Sequence, residues 1–123
     1  MKSSKIKARG ESMMPLVLPG ATIHVNFSCN TFYIGDIVVF LCNKHLVIHR
    51  IIHKTRNNQY ILMGDNNYTV DGLFSSQYLL GKVVKINNFN QIIDTQSFVQ
   101  SKMKYAYVLK SRLKLLWSHF KWL

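Results

Sequence analysis

Acidic residues are scarce in this chain. Glu11, Asp36, Asp65, Asp71 and Asp94 stand against sixteen lysines and arginines, for a formal net charge of +11 over 123 residues. Such a balance attracts anionic lipid headgroups or nucleic acid and says little about fold. Cysteine is equally sparse. Cys29 and Cys42 cannot build a disulfide framework, and their expected state is two buried, unpaired thiols. No Cys-x-x-Cys or spaced Cys/His set exists, so no zinc site, other metal or cofactor is expected. Two prolines and six glycines leave no fibrous or low-complexity tract, and 48% hydrophobic residues argue against disorder. No apolar run reaches the roughly 18 residues that a membrane-spanning helix needs. The basic start, residues 1–7, has no apolar run behind it to make a secretory signal. The length suits one core, since a chain of this size buries roughly two-thirds of its unfolded surface.

What is present is β patterning. Residues 22–27 alternate, 37–42 form an apolar run, and 46–53, 60–63 and 82–86 read as further strands, with a short extra one at Ile92-Ile93. In the strand over 46–53, a period of two puts Val47, His49, Ile51 and His53 on one face and Ile48, Arg50 and Ile52 on the other. Asn57-Asn58 marks a hairpin, because Asn tolerates a left-handed backbone. Residues 64–72 (Gly-Asp-Asn-Asn-Tyr-Thr-Val-Asp-Gly) read as a structured loop. The expected fold is mainly β: a small coiled antiparallel sheet over residues 1–100 with candidate site residues at one edge, followed by a basic amphipathic helix over 101–123.

Four of the five acids lie inside short, distinctive boxes, which is where chemistry enters. Ser12 sits in Gly10-Glu11-Ser12-Met13-Met14-Pro15, His49 in Val47-Ile48-His49-Arg50-Ile51-Ile52, and Asp65 and Asp71 bracket the polar loop. A serine hydroxyl is a weak nucleophile at neutral pH and needs a base within hydrogen-bond reach, oriented in turn by a third group. An ordinary imidazole titrates near neutrality, so a His base needs less desolvation than a Lys base. His45 and His53 are rival bases, of which His53 shares the strand face of His49. Asp36 reads as structural. Each box has a plainer reading as well: a turn serine, a packed core histidine and Asx turns in a polar loop.

The boxes together resemble the signal peptidase I-like serine peptidases. Ser12-Met13-Met14-Pro15 fits the nucleophile box, Gly35-Asp36 precedes an apolar strand, His49-Arg50 takes the place of base-Arg, and Gly64-Asp65-Asn66 opens the acidic box. The resemblance spans about residues 8–86 and is nearer to the Ser/His branch, which includes the catalytic subunit of the endoplasmic-reticulum signal peptidase complex. It implies a signal peptidase/LexA-type catalytic domain with Ser12 as nucleophile, His49 as general base, Asp71 orienting it and Asp65 as a second site carboxylate. It also implies an oxyanion hole near Gly10, with Met13 shaping the cleft. The implied activity is removal of an N-terminal signal or leader peptide with small residues before the cut. Departures include Gly20-Ala21, where the family often has Gly-Asp, and the shortness of residues 1–11 ahead of Ser12, which leads us to expect no N-terminal anchor. LexA-type self-cleaving repressors share the serine box but use a lysine base and an upstream DNA-binding domain.

In the C-terminal segment, Leu109, Leu113, Leu116, Trp117, Phe120 and Leu123 recur at helical spacing, with Lys110, Lys114, His119 and Lys121 largely elsewhere on the wheel. Such a stripe either packs on the sheet or lies in an anionic membrane interface. The family's continuation into a C-terminal hydrophobic segment favours a peripheral membrane location over a cytoplasmic one. The competing function is a non-catalytic basic β-domain that binds nucleic acid or anionic membrane. Aromatic residues do not interleave with basic ones along a single strand, which disfavours nucleic acid.

Overall fold

A computed structural model describes residues 3–121, and side chains over 4–119. The strands are β1 (Ser3–Lys7), β2 (Thr22–Asn26), β3 (Ile37–Cys42), β4 (His45–Lys54), β5 (Gln59–Met63), β6 (Gly72–Ser75), β7 (Leu79–Asn88) and β8 (Gln91–Asp94). They pair antiparallel in the order β1-β2-β7-β3-β4-β5-β6, with β8 hairpinned on β7. Three strands separate β1 from β4 in that order, yet both line one cleft, so the sheet curls into a half-barrel. Bulges interrupt the pairing at His24/Val25, Val39/Phe40 and Ile51/His53, and a bulge bends its strand and adds local twist. The mainly β fold expected above is therefore the observed one.

The apolar alternation of the strands fills both faces of the sheet. Ile23, Val25, Val39, Val83 and Ile86 pack with Met13, Leu16 and Val17 on one side. Val38, Phe40, Ile51, Leu62 and Leu79 pack with Phe32 and Tyr60 on the other. In β4 the bulge breaks the period of two. Ile51 and Ile52 are both buried, and His53 is exposed rather than continuing the face of His49. Cys29 and Cys42 are free thiols, as expected, but half-buried rather than buried.

Helix α1 (Phe98–Lys121) opens earlier than expected, at a cap readable as Ser97-Phe98-Val99-Gln100. The Gln100 N–H donates to Ser97 Oγ at 3.2 Å. The helix docks through a face different from its leucine stripe. Val108 packs on Ile52 and Met63, with Leu115 beside them. Lys104 lies 4.0 Å from Asp36. Arg112 donates to the Ile52 carbonyl from Nε at 3.0 Å and from a terminal nitrogen at 2.7 Å. Leu109, Leu113, Leu116 and Trp117 point outward, 50–68% exposed. The stripe therefore does not pack on the sheet. The side chains of Phe120 and Lys121, and Leu123 altogether, lie outside the described residues. Among those described, no helix is long and apolar enough to cross a membrane.

Candidate active site

Three chain segments meet at the C-terminal end of β1 and the middle of β4. Residues 8–20 leave β1 through Gly10, whose φ of +73° is a left-handed conformation that glycine adopts without penalty. They then pass through a compact turn held by the Met14 N–H on the Glu11 carbonyl (3.1 Å) and the Val17 N–H on the Met13 carbonyl (2.9 Å). That turn presents Ser12, half-buried, toward β4. His49 faces it from β4, 6% exposed and in register with Val38.

The geometry is a chain of two hydrogen bonds. His49 Nδ1 lies 2.6 Å from Asp71 Oδ2, and His49 Nε2 lies 2.9 Å from Ser12 Oγ. An ionised carboxylate only accepts, so a neutral His49 must donate its Nδ1–H to Asp71. Nε2 is then left as the acceptor for the Ser12 hydroxyl proton. The tautomer that removes a proton from serine is thus the one Asp71 selects. His45 and His53 are exposed, and His49 is the histidine that the fold brings to Ser12.

Asp65, six residues before Asp71, points elsewhere. Its two oxygens accept from Arg50 Nε and a terminal nitrogen at 2.8 Å each, a bidentate pair in which both side chains are nearly sealed from solvent (3% and 1%). Arg50 also donates to the Gly35 carbonyl at 2.8 Å, and its guanidinium sits 4.7 Å from the ring centre of Tyr107. This group of contacts ties β4, the 64–72 loop, the turn before β3 and α1 together. Asp36 is likewise occupied, accepting from the Tyr33 N–H at 2.8 Å and pairing with Lys82 at 3.0 Å.

The loop touches the serine turn directly. The Asn66 N–H donates to the Ser12 carbonyl at 2.8 Å, and the Asn66 side-chain amide donates to the Glu11 carbonyl at 3.0 Å. Met13 is buried, accepts the Asp65 N–H on its sulfur at 3.3 Å, and lines the cleft that opens beside Ser12. At Gly64 a β-carbon would fall 2.7 Å from the Ser12 carbonyl oxygen and 3.0 Å from His49 Nε2, so only glycine lets the loop approach this closely. Sequence reasoning took Gly64 as part of a box and missed that closeness.

Sequence reasoning also missed Lys114. From α1 its ammonium donates to the Asp65 carbonyl at 2.6 Å and the Asn67 carbonyl at 3.2 Å. Burial, with repulsion from Lys110, holds its pKa below the usual lysine value, and Asp65 opposes the shift. No short-range signal marks this residue, because its partners lie 47 and 49 positions away in the chain.

No curated protein matches the chain. The family model described as Peptidase S24-like matches residues 3–84, which takes in β1, the serine turn, β4 and the whole 64–72 loop and leaves out β8 and α1. The match reaches serine peptidases at that level and does not single out the endoplasmic-reticulum signal peptidase subunit. With a mainly β half-barrel and a hydroxyl, imidazole and carboxylate in hydrogen-bond contact, the chain belongs to the Peptidase S24-like family of serine peptidases.

Proposed function

We propose that the chain is a serine endopeptidase that cuts an extended peptide, with an N-terminal signal or leader segment as substrate. The observation that carries this reading is the unbroken Asp71–His49–Ser12 hydrogen-bond chain. Ser12 Oγ attacks the scissile carbonyl as its proton passes to His49 Nε2, and Asp71 stabilises the imidazolium that forms. The oxyanion is met by the Ser12 N–H with a donor near Gly10, an arrangement in which one donor is worth roughly 10²–10³-fold in rate. The imidazolium gives its proton to the leaving amine, which departs and leaves an acyl-Ser12 ester. Water, deprotonated by His49, then hydrolyses the ester and restores the serine. Arg50 and Asp65 clamp the start of the loop whose far end carries Asp71. The activity is tested by incubating the protein with leader-type peptides and mapping the cuts by mass spectrometry. Cuts after small residues support the leader-peptidase reading, and cuts without regard to the preceding residue count against it.

The outward stripe of α1 supports a peripheral place on an anionic membrane. Leu109, Leu113 and Trp117 with Tyr68 border an open apolar groove of about 420 Å3, and Lys110 stands beside it on a chain of charge +11. Leu113→Ser with Trp117→Ser should remove binding to phosphatidylserine vesicles and leave the melting temperature within about 2 °C of wild type, since exposed substitutions change stability little. Absence of vesicle binding by the wild type at low salt would overturn this placement.

A further inference from the structure

The cleft beside Ser12 carries information about the substrate that the catalytic chain does not. It encloses about 580 Å3 between β1 with the segment after it and the first half of β4. Its floor is aliphatic, formed by Ile6, Ala8, Met13, Val17 and Ile48. Both walls are strand edges with free backbone groups. Among the described residues β1 pairs only with β2, and residues 45–49 of β4 pair only with β3, because β5 takes up β4 from Arg50 onward. An added peptide strand finds hydrogen-bond partners there, while alternate side chains reach the floor.

The rim is cationic on both sides. Lys7 and Arg9 stand on the β1 wall and Lys44 on the β4 wall, with the His45 imidazole beside it, all four exposed. Other cations close to the site are already engaged. Arg50 is bound to Asp65, Lys82 to Asp36, and Lys114 to two loop carbonyls. Among the described residues Lys7, Arg9, Lys44 and His45 have no ion-pair partner, and no acid lines the cleft, although exposed Glu11 adjoins Ser12 in sequence. At about 3.3 Å per strand residue, His45 lies roughly 13 Å along β4 from His49, and Lys44 is the next residue out, in the hairpin turn. Arg9 is three residues ahead of Ser12.

We propose that this cleft selects acidic peptides: an aliphatic side chain seated on the Ile6–Met13–Ile48 floor, with Asp or Glu about three to five residues from the scissile bond meeting Lys44 on one wall and Lys7 and Arg9 on the other. The proposal rests on the peptidase reading for its scissile bond, but the selection itself is a binding property. Each exposed ion pair supplies at most about fivefold in affinity, and salt screens it. Two or three such pairs give about tenfold or more.

The test uses three fluorescent peptides with one aliphatic core, flanked by glutamate, glutamine or lysine. Binding is measured by anisotropy on Ser12→Ala at low and high salt, and kcat/KM on the wild type. The glutamate peptide should bind at least tenfold more tightly than the lysine peptide, with the gap closing as salt rises. Arg9→Glu with Lys44→Glu should reverse the order, and Lys44→Gln, a milder change at an exposed hairpin tip, should reduce the gap about threefold. Arg56→Glu with Lys85→Glu makes the same change in net charge away from the cleft and should leave the order intact. Equal binding of the three peptides, or an equal loss in the remote double variant, overturns the proposal. Cleavage with no charge preference overturns it alone. Charge-selective binding with no cleavage of any peptide overturns the peptidase reading and leaves the acidic selection standing.

Discussion

The two ends of the 64–72 loop carry the same functional group and use it in opposite ways. At its start, Asp65 is 4% exposed, and both of its oxygens are consumed by Arg50. At its end, Asp71 keeps more solvent contact, 18% for its side chain, and its bond to His49 runs through one oxygen. A buried carboxylate clamped by a guanidinium has no freedom to follow a reaction. A less enclosed one bonded to an imidazole can answer the charge that appears there. Neighbouring residues of β4 set the division, since His49 and Arg50 leave the strand on opposite faces and each meets its own end of the loop.

On the proposed mechanism, substitutions should separate catalysis at one end from stability at the other, with the largest effects at Ser12, His49 and Asp71. Ser12→Ala and His49→Ala should each lower kcat by on the order of 10⁴-fold or more with little change in melting temperature, because members of such a unit act together. Asp71→Asn should cost roughly 10³–10⁴-fold, because the amide no longer selects the tautomer with Nε2 free. Asp65→Asn should do the reverse. It strands Arg50 in the interior, which costs about 3–5 kcal/mol, so the melt should drop sharply while the protein that stays folded keeps most of its kcat. Equal losses of activity and stability from both aspartates would erase the contrast.

The smallest effect sharpens the contrast at the joint between the two ends. Lys114→Ala removes a charged donor from the Asp65 and Asn67 carbonyls, a net contribution of about 1.5 kcal/mol. It should lower kcat less than tenfold, with Lys114→Arg restoring part of the loss. Because the folded protein holds this ammonium below its ordinary pKa, the charged form is disfavoured on folding. Wild-type stability should therefore gain a small increment as pH rises through that titration on the alkaline side, an increment absent from Lys114→Ala when the two melts are compared.

Much of this arrangement was legible in the sequence, because the strands that carry it are strongly apolar. β3 has the bounds expected for it, and β4 and β5 differ from theirs by only a residue or so at an end. The boxes around Ser12, His49 and Asp71 fall on segments that the fold brings together. β1 and β6 were not foreseen. Each is an edge strand of five residues or fewer with little apolar alternation, held by backbone pairing to one neighbour. The bulge at Ile52 was hidden for a similar reason, since an extra residue in a strand leaves no mark on composition. Helix α1 left two readings open in the sequence, its leucine stripe packed on the sheet or turned outward, and the structure removes the first. Lys104, Arg112 and Lys114 have stems long enough to lie along the body and reach an acid or carbonyls, so these three cations help dock the helix while Lys102 and Lys110 stay exposed and the leucines turn out.

The central claim is that His49 activates Ser12 as a nucleophile under the direction of Asp71. Reaction of the protein with a fluorophosphonate, followed by peptide mapping, tests it without knowledge of the substrate. The account predicts one phosphonylated residue, Ser12, at a rate that falls by orders of magnitude in His49→Ala and Asp71→Asn and stays near wild type in folded Asp65→Asn. An unlabelled Ser12, or labelling at a rate indifferent to His49, would contradict it.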